Sequence, residues 1–216
     1  MFNRTALAAN EHRQRRHGAT AHEPFDTKAF QLPWSPSIVG DQPAPEDVRN
    51  WGREQSEEGL RDWYSDARPA RHRVDVLLCQ RSTITWARQD HATYAQLLRW
   101  TVGRGLVVTV ILGVALDLSL GEYWLRLGFP VLPAALDELD VAKTNSEVAA
   151  AKTRLENEAD AMLRRARATA APPTVVKCRD LQNVIYSTRL RPGVPDYAYR
   201  FKRIRQQENL DETVQM

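Results

Sequence analysis

Between Gly105 and Leu120 the chain reads GLVVTVILGVALDLSL, sixteen residues with one ionisable side chain, Asp117. A soluble fold must cover such a run on all sides, whereas a membrane accepts it directly. Extended back to Leu97, it reaches the roughly 20 residues that cross about 30 Å of hydrocarbon at about 1.5 Å each. Arg99 and Arg104 fall near the entry face, where long cationic side chains snorkel, and Trp100 is placed as an interfacial anchor. A weaker apolar stretch, Tyr123–Leu139, follows and contains Arg126, Pro130 and Pro133. Proline frees backbone groups that a neighbouring helix must satisfy in lipid. Eight Arg lie between Arg61 and Arg104, and Lys143, Lys152, Arg154, Arg164, Arg165 and Arg167 follow the second stretch. Positive residues mark the cytoplasmic side, so both flanks demand the same side and two crossings satisfy them. The expectation is a transmembrane hairpin over 97–139 with both termini cytoplasmic.

The remainder reads as helix, which makes the fold class all-α: a membrane helical hairpin flanked by cytoplasmic amphipathic helices. Residues 1–24 carry Arg4, Arg13, Arg15, Arg16 and three His without an apolar run, and are expected to be a disordered tail rather than a signal peptide. A cytoplasmic helical segment spans 25–96. In it, FDTKAFQLPW (Phe25–Trp34) is too apolar to stay solvated, and Pro45-Glu46-Asp47 has the composition of a helix start. A second helix is expected from about Val74 towards Trp100. The cytoplasmic region 140–210 opens with an uninterrupted Ala-, Glu-, Lys- and Arg-rich helix from Asp137 to Ala170. Its seam of Val148, Ala151, Leu155, Ala159, Met162 and Ala166 resembles that of a coiled coil and suits packing within the chain or self-association. Pro172 and Pro173 end it. Leu181, Val184 and Ile185 mark a short amphipathic helix, and a basic helix is expected from Tyr197 to Gln207.

Catalytic constellations are missing. The sequence contains no phosphate-cradling glycine loop, no HExxH and no GxSxG, and three of its five His fall in the basic tail. Cys79 and Cys178 stand nearly a hundred residues apart and read as inert reduced thiols. The chain is expected not to be an enzyme and to use no metal and no cofactor. Its net charge of +3 and pI near 9.0 suit an anionic surface or ligand. Asp117, Glu122 and Arg126 are costly near a membrane segment. They either line a pore or ion path or sit harmlessly at the hairpin turn. Trp63 and Tyr64 of WYSD, and Cys79, Gln80, Arg81 and Trp86 of CQRSTITW, suit a ligand platform or plain helix packing. In RDLQNVIYSTR (Arg179–Arg189), Arg179, Arg189 and the nearby Arg191 could bind an anion or form a solvated face.

FDTKAFQLPW, RDWYSD, LLCQRSTITW with Tyr94 beyond it, the apolar hairpin ending in PVLP, DLQNVIYSTR and PDYAYRFKR occur in that order. The series resembles the SMODS-associating four-transmembrane effector family over about Phe25 to Glu208. The resemblance implies an effector encoded beside a cyclic-oligonucleotide synthase, which senses that messenger on infection and breaches the inner membrane before phage mature (abortive infection). Carried over by motif, Trp63, Tyr64, Cys79, Gln80, Arg81 and Trp86 form one block. Gln182, Ile185, Tyr186, Arg189, Asp196 and Tyr199 form the other. The implied partners are membrane lipid, a cyclic oligonucleotide and further copies of the chain, with no DNA or RNA duplex. The family's first membrane pair is expected before FDTKAF, where this sequence offers a short polar stretch. That favours a late start or a one-hairpin relative that must oligomerise to line anything. The alternatives are a non-lytic membrane adaptor derived from such an effector and a soluble module that buries the hairpin.

Overall fold

The computed structural model of the chain describes residues 2–51, 72–191 and 193–195, and every regular element among them is helical. Two helices dominate, α4 (His72–Ala115) and α6 (Phe129–Thr169), packed against each other and connected through a tight turn. Their continuity follows from composition. Neither holds a glycine or proline in its aqueous half, and good helix formers fill the exposed positions. At 44 residues α4 is far longer than a membrane is thick. Its apolar part, Leu97–Ala115, rises roughly 28 Å, close to the thickness of the hydrocarbon layer. Among the described helices it is the one long and apolar enough to cross a membrane.

The turn at residues 116–119 is built by local chemistry. Asp117 takes the left-handed conformation (φ 50°), which Asp tolerates better than most residues. Ser119 then caps α5 (Leu120–Tyr123). Its hydroxyl accepts from Glu122 N at 3.4 Å, while the Glu122 carboxylate accepts from Ser119 N at 3.0 Å. A π-helical segment, Trp124–Gly128, leads into α6, and Phe129 N–H reaches back five residues to Trp124 O. Pro130 follows directly and has no N–H to return to Arg126, so the wider turn coincides with the proline pair.

Close packing in the hairpin depends on glycine, between the arms at Gly113 and within the second arm at Gly128. A Cβ on Gly113 would lie 2.7 Å from Cδ2 of Tyr123, and one on Gly128 would lie 2.3 Å from Cε3 of Trp124. Both aromatic rings therefore lie where any larger residue would push them away. The Thr109 hydroxyl donates to Leu106 O at 2.8 Å, which leaves the Tyr123 hydroxyl to donate to Thr109 Oγ1 at 3.0 Å. This contact between the arms leaves no hydroxyl unsatisfied in apolar surroundings.

Outside this seam the hairpin is apolar and uncovered. Val107, Ile111, Leu125 and Phe129 stand out from it, and Val114 is 77% exposed. The other end of the same helices has the reverse pattern. There Leu77 and Ile84 of α4 meet Ala159 and Leu163 of α6, together with Leu181 and Ile185 of α7 (Val175–Arg189), in a closed core. The chain thus has a head with an inside and a hairpin whose apolar side faces out.

The head corrects two expectations. Residues 2–24, expected as a disordered tail, are helical. They belong to α1 (Phe2–Phe30), whose Ala19, Glu23, Asp26 and Thr27 are buried against the head. The buried face of α1 is mostly polar and is matched by polar partners on α7, so apolar periodicity could not reveal it. The α6 seam is also rotated from the one expected. Val148 and Ala159 are buried and Leu155 and Met162 pack on the core as the spacing implied, but Ala142, Asn145, Lys152 and Leu163 complete the face in place of Ala151 and Ala166. The short helices α2 (Pro36–Val39) and α3 (Pro45–Trp51) close the head. Val39 packs on Tyr186, and Trp51 stacks on His17 at 4.9 Å between ring centroids.

Replacing Gly113 with Val is expected to separate the arms at Tyr123 and cost about 1–3 kcal/mol, the usual range for overpacking. Thermal unfolding of the detergent-solubilised chain measures it. Unchanged stability in Gly113→Val would contradict the close ring contact.

Candidate functional site

The head interior contains a buried polar network where α1, α4 and α7 meet. Glu23 and Asp26 come from α1, Gln80 from α4, and Arg179, Gln182 and Arg189 from α7. Gln80 Nε2 donates to Cys178 O at 2.9 Å and to Gln182 Oε1 at 3.1 Å. Gln182 Nε2 in turn donates to Glu23 Oε2 at 3.1 Å and to Asp26 Oδ2 at 2.9 Å. Arg179 gives Glu23 a 2.6 Å ion pair, shares Asn183 Oδ1 at 2.7 Å and reaches Pro33 O at 3.3 Å. Arg189 pairs with Asp26 at 2.7 Å. Both carboxylates are almost completely withdrawn from solvent. Removing one partner from such a pair strands the other charge in a low-dielectric interior.

This network brings together part of what the sequence singled out. Gln80 of the first motif block and Gln182 of the second touch directly, and Arg189 joins them through Asp26. Tyr186 is buried beside them, with its hydroxyl 3.1 Å from that of Thr20. Cys79 packs beside Phe30, Leu32 and Cys178. Burial pushes its thiol up to about 11, helped by Asp75 and Asp26, and burial raises Cys178 as well. Neither thiol is a nucleophile at neutral pH. Arg81 turns the other way, onto Asp160 and Glu156 of α6, and Trp86 is half-buried along α4. Trp63, Tyr64, Asp196 and Tyr199 lie outside the described residues, as does the expected basic helix beyond Tyr197.

Asp117, Glu122 and Arg126 are nowhere near the head. They gather at the hairpin turn, roughly 55 Å along α4 from Gln80 at about 1.5 Å per residue. Glu122 serves as the capping carboxylate of α5 and lies 3.5 Å from Arg126. All three are exposed at one end of the hairpin, and the arm residues 105–116 and 127–136 carry no charge at all. They form the end of a helical hairpin, not a polar stripe along it.

The sequence reading did not assign Glu23, Asp26 or Lys152 to a site. Asp26 sits inside the FDTKAF motif and was a readable signal. Lys152 and Asn145 are polar residues on the buried face of α6, and a polar residue in a helical seam commonly marks a specific partner. Asn145 Oδ1 lies 2.7 Å from His91 Nδ1. Lys152 is buried and donates to Thr188 Oγ1 at 3.0 Å. Burial draws its ammonium down to about 8, with the charges of Arg189 and Arg191 adding to the shift. Elsewhere on the head, a cleft of about 590 Å³ runs between the end of α6 and the start of α7. It is lined by Arg165 and Lys177 but equally by Glu158 and Asp180. No group of His, Cys, Asp and Glu suited to a metal ion occurs among the described residues.

The chain matches the family model described as the SMODS-associating 4TM effector domain over residues 1–216. It belongs to that family. A probable CBASS effector molecule of Bacillus cereus (strain VD146) is 26% identical over 204 residues, which cover 92% of this chain and 67% of that protein. No solved structure matches. Membership of this effector family, together with the exposed apolar hairpin, makes the chain a membrane-associated effector-domain protein.

Two outcomes follow for the head of this effector domain. Arg179→Met leaves Glu23 buried without its cation and is expected to lose about 3–5 kcal/mol in denaturant unfolding of the full chain. Pairing it with Glu23→Leu should recover most of that. For Lys152, the folded ammonium loses its proton near pH 8 and the unfolded one near pH 10.5. Between these values the unfolded state holds the extra proton, so stability rises with pH. The stability advantage of Lys152→Met over wild type should therefore shrink by about 3 kcal/mol from pH 8 to pH 10.5. A difference that stays flat with pH would show that Lys152 is not buried as a charge.

Proposed function

We propose that this protein is the membrane-acting effector of a CBASS-type anti-phage system, which receives a soluble cyclic oligonucleotide in its head and disrupts the bacterial inner membrane through its hairpins. The observation that carries the reading is the continuity of α4 and α6. The same two helices build the head core and extend, uncovered and apolar, for about the thickness of a bilayer. A ligand that shifts α6 against α4 in the head must move the hairpin, because no joint interrupts either helix between the two.

Topology supports the same arrangement. The positive residues cluster on both aqueous flanks, which supports a cytoplasmic head, on the side where a messenger would be made. The chemistry is not catalytic: ligand binding drives assembly, and several copies supply the lesion. One hairpin encloses nothing, so activity requires association of copies in the bilayer.

One observation favours a second reading, a non-lytic adaptor. Charge is confined to the hairpin turn and the arms offer no polar stripe to line a water-filled path. Under the leading reading, the assembled arms disrupt lipid packing without forming a charge-lined channel.

Liposomes loaded with a self-quenched dye and reconstituted with the full chain separate the two readings. Addition of cyclic di-AMP, 3′,3′-cyclic GMP–AMP or cyclic tri-AMP should release the dye with one of the three and with none of the corresponding linear nucleotides. Messenger binding with fully retained dye would establish the adaptor instead.

A further inference from the structure

The cations of the head divide sharply once each is matched to its counter-ion. Among the described residues, every buried or half-buried Arg has a carboxylate: Arg15 has Glu11, Arg81 has Asp160 and Glu156, and Arg88 has Glu156. Arg179 has Glu23 and Arg189 has Asp26. Lys152 is the exception. It is more deeply buried than most of them, yet its one hydrogen-bond partner among the described residues is the Thr188 hydroxyl, which is neutral. Burying an ammonium without a counter-charge is costly, and proteins rarely retain one unless something else supplies the anion.

The surroundings increase the cost. Thr188 sits in the last turn of α7 and is followed by Arg189 and the exposed Arg191, and both guanidinium charges act against Lys152. Even so, burial draws the ammonium down only to about 8, above neutral pH, so it keeps its charge there. Two of its three N–H donors have no partner among the described residues, and the cluster runs outward from Lys152 through half-buried Thr188 to exposed Arg191. Exposure rises from Lys152 through Thr188 to Arg191, so these positive groups lead towards solvent with hydrogen-bond capacity to spare.

Building on the messenger-receptor reading above, we propose that Lys152, Thr188 and Arg191 form a phosphate subsite that holds a phosphodiester of a cyclic oligonucleotide. Both lysine and arginine suit an oxyanion, Lys152 as a compact point charge at the back and Arg191 as a planar fork at the mouth. Position argues against a lipid phosphate. Lys152 lies on α6 roughly 20 Å along the helix axis from Leu139, the end of the apolar arm. The headgroup layer adds only about 5–8 Å beyond the hydrocarbon edge. The anion must therefore come from solution. Its attachment to α6, the helix that becomes the second hairpin arm, couples binding to the membrane end. Its neighbour Arg189 already holds α1 through Asp26, so the same event bears on the α1 contact.

The test measures equilibrium binding to the full chain in detergent micelles. The probes are cyclic di-AMP, 3′,3′-cyclic GMP–AMP, cyclic tri-AMP and inorganic phosphate, applied to wild type, Lys152→Met and Arg191→Gln. One cyclic oligonucleotide should bind wild type, weaken about tenfold or more in Lys152→Met, and weaken severalfold in Arg191→Gln. Lys152→Met should melt no lower than wild type, since it removes a buried charge and keeps the volume. If that variant fails to fold, the exposed Arg191→Gln decides alone. Oligonucleotide binding that is undiminished in the variants would overturn the subsite and leave the messenger reading intact. Phosphate binding lost in Lys152→Met, with no oligonucleotide bound, would keep an anion site but overturn its assignment to the messenger. No binding of any probe would overturn both.

Discussion

The structure depends on two uninterrupted helices that serve two solvents. In the head, α4 and α6 bury Leu77, Ile84, Ala159 and Leu163 against each other and α7. Further along the same rods, aliphatic residues point outward, and only a narrow seam of Gly113, Thr109 and Tyr123 is left between the arms. Water cannot stabilise that second half. The hydrophobic effect that closes the head would drive the hairpin into lipid or into other copies. The division of labour between a closed aqueous domain and an uncovered apolar one follows from where the apolar face of each helix is covered and where it is not.

Electrostatics sets what the head can recognise. Arginines on α4 and α7 suggest an anion-binding surface, but most are already neutralised inside the fold. Arg81 and Arg88 clamp α4 to α6 through Glu156 and Asp160, and Arg179 and Arg189 clamp α7 to α1 through Glu23 and Asp26. Bidentate, always-charged guanidinium suits that structural use. Among the described residues, the buried cation left without a counter-ion is Lys152, and a lysine's tolerance of a lowered pKa reduces the cost of burying it beside the neutral Thr188 hydroxyl.

Much of this could be read along the chain. The all-helical class, the hairpin arms and the long α6 helix follow from length, apolar runs and the absence of helix breakers. The helix start at Pro45 and the stop at Ala170 follow from ordinary end signals. The α1 helix was not legible, because its buried face sets Glu23, Asp26 and Thr27 between Ala19 and Phe30, and periodicity counts those three as solvated. Glu23 and Asp26 are interior only because Arg179, Gln182 and Arg189 meet them from more than 150 residues away, and such pairing leaves no local trace. The motifs singled out Gln80 in one block and Gln182 and Arg189 in another, but not their contact or their roles, which depend on the carboxylates of α1. Lys152 was visible as a charge in a helix rich in charges. Its burial could be seen only once α6 was rotated against α4 and α7.

The central claim is that the apolar hairpin lies in a bilayer while the head stays in water. Membranes from cells that express the full chain, washed with alkaline carbonate and then extracted with detergent, test it most directly. The account predicts that the protein resists carbonate and enters solution only with detergent. Release by carbonate, or recovery in the soluble fraction, would mean that the exposed face of α4 and α6 is covered by protein and that the membrane account is wrong.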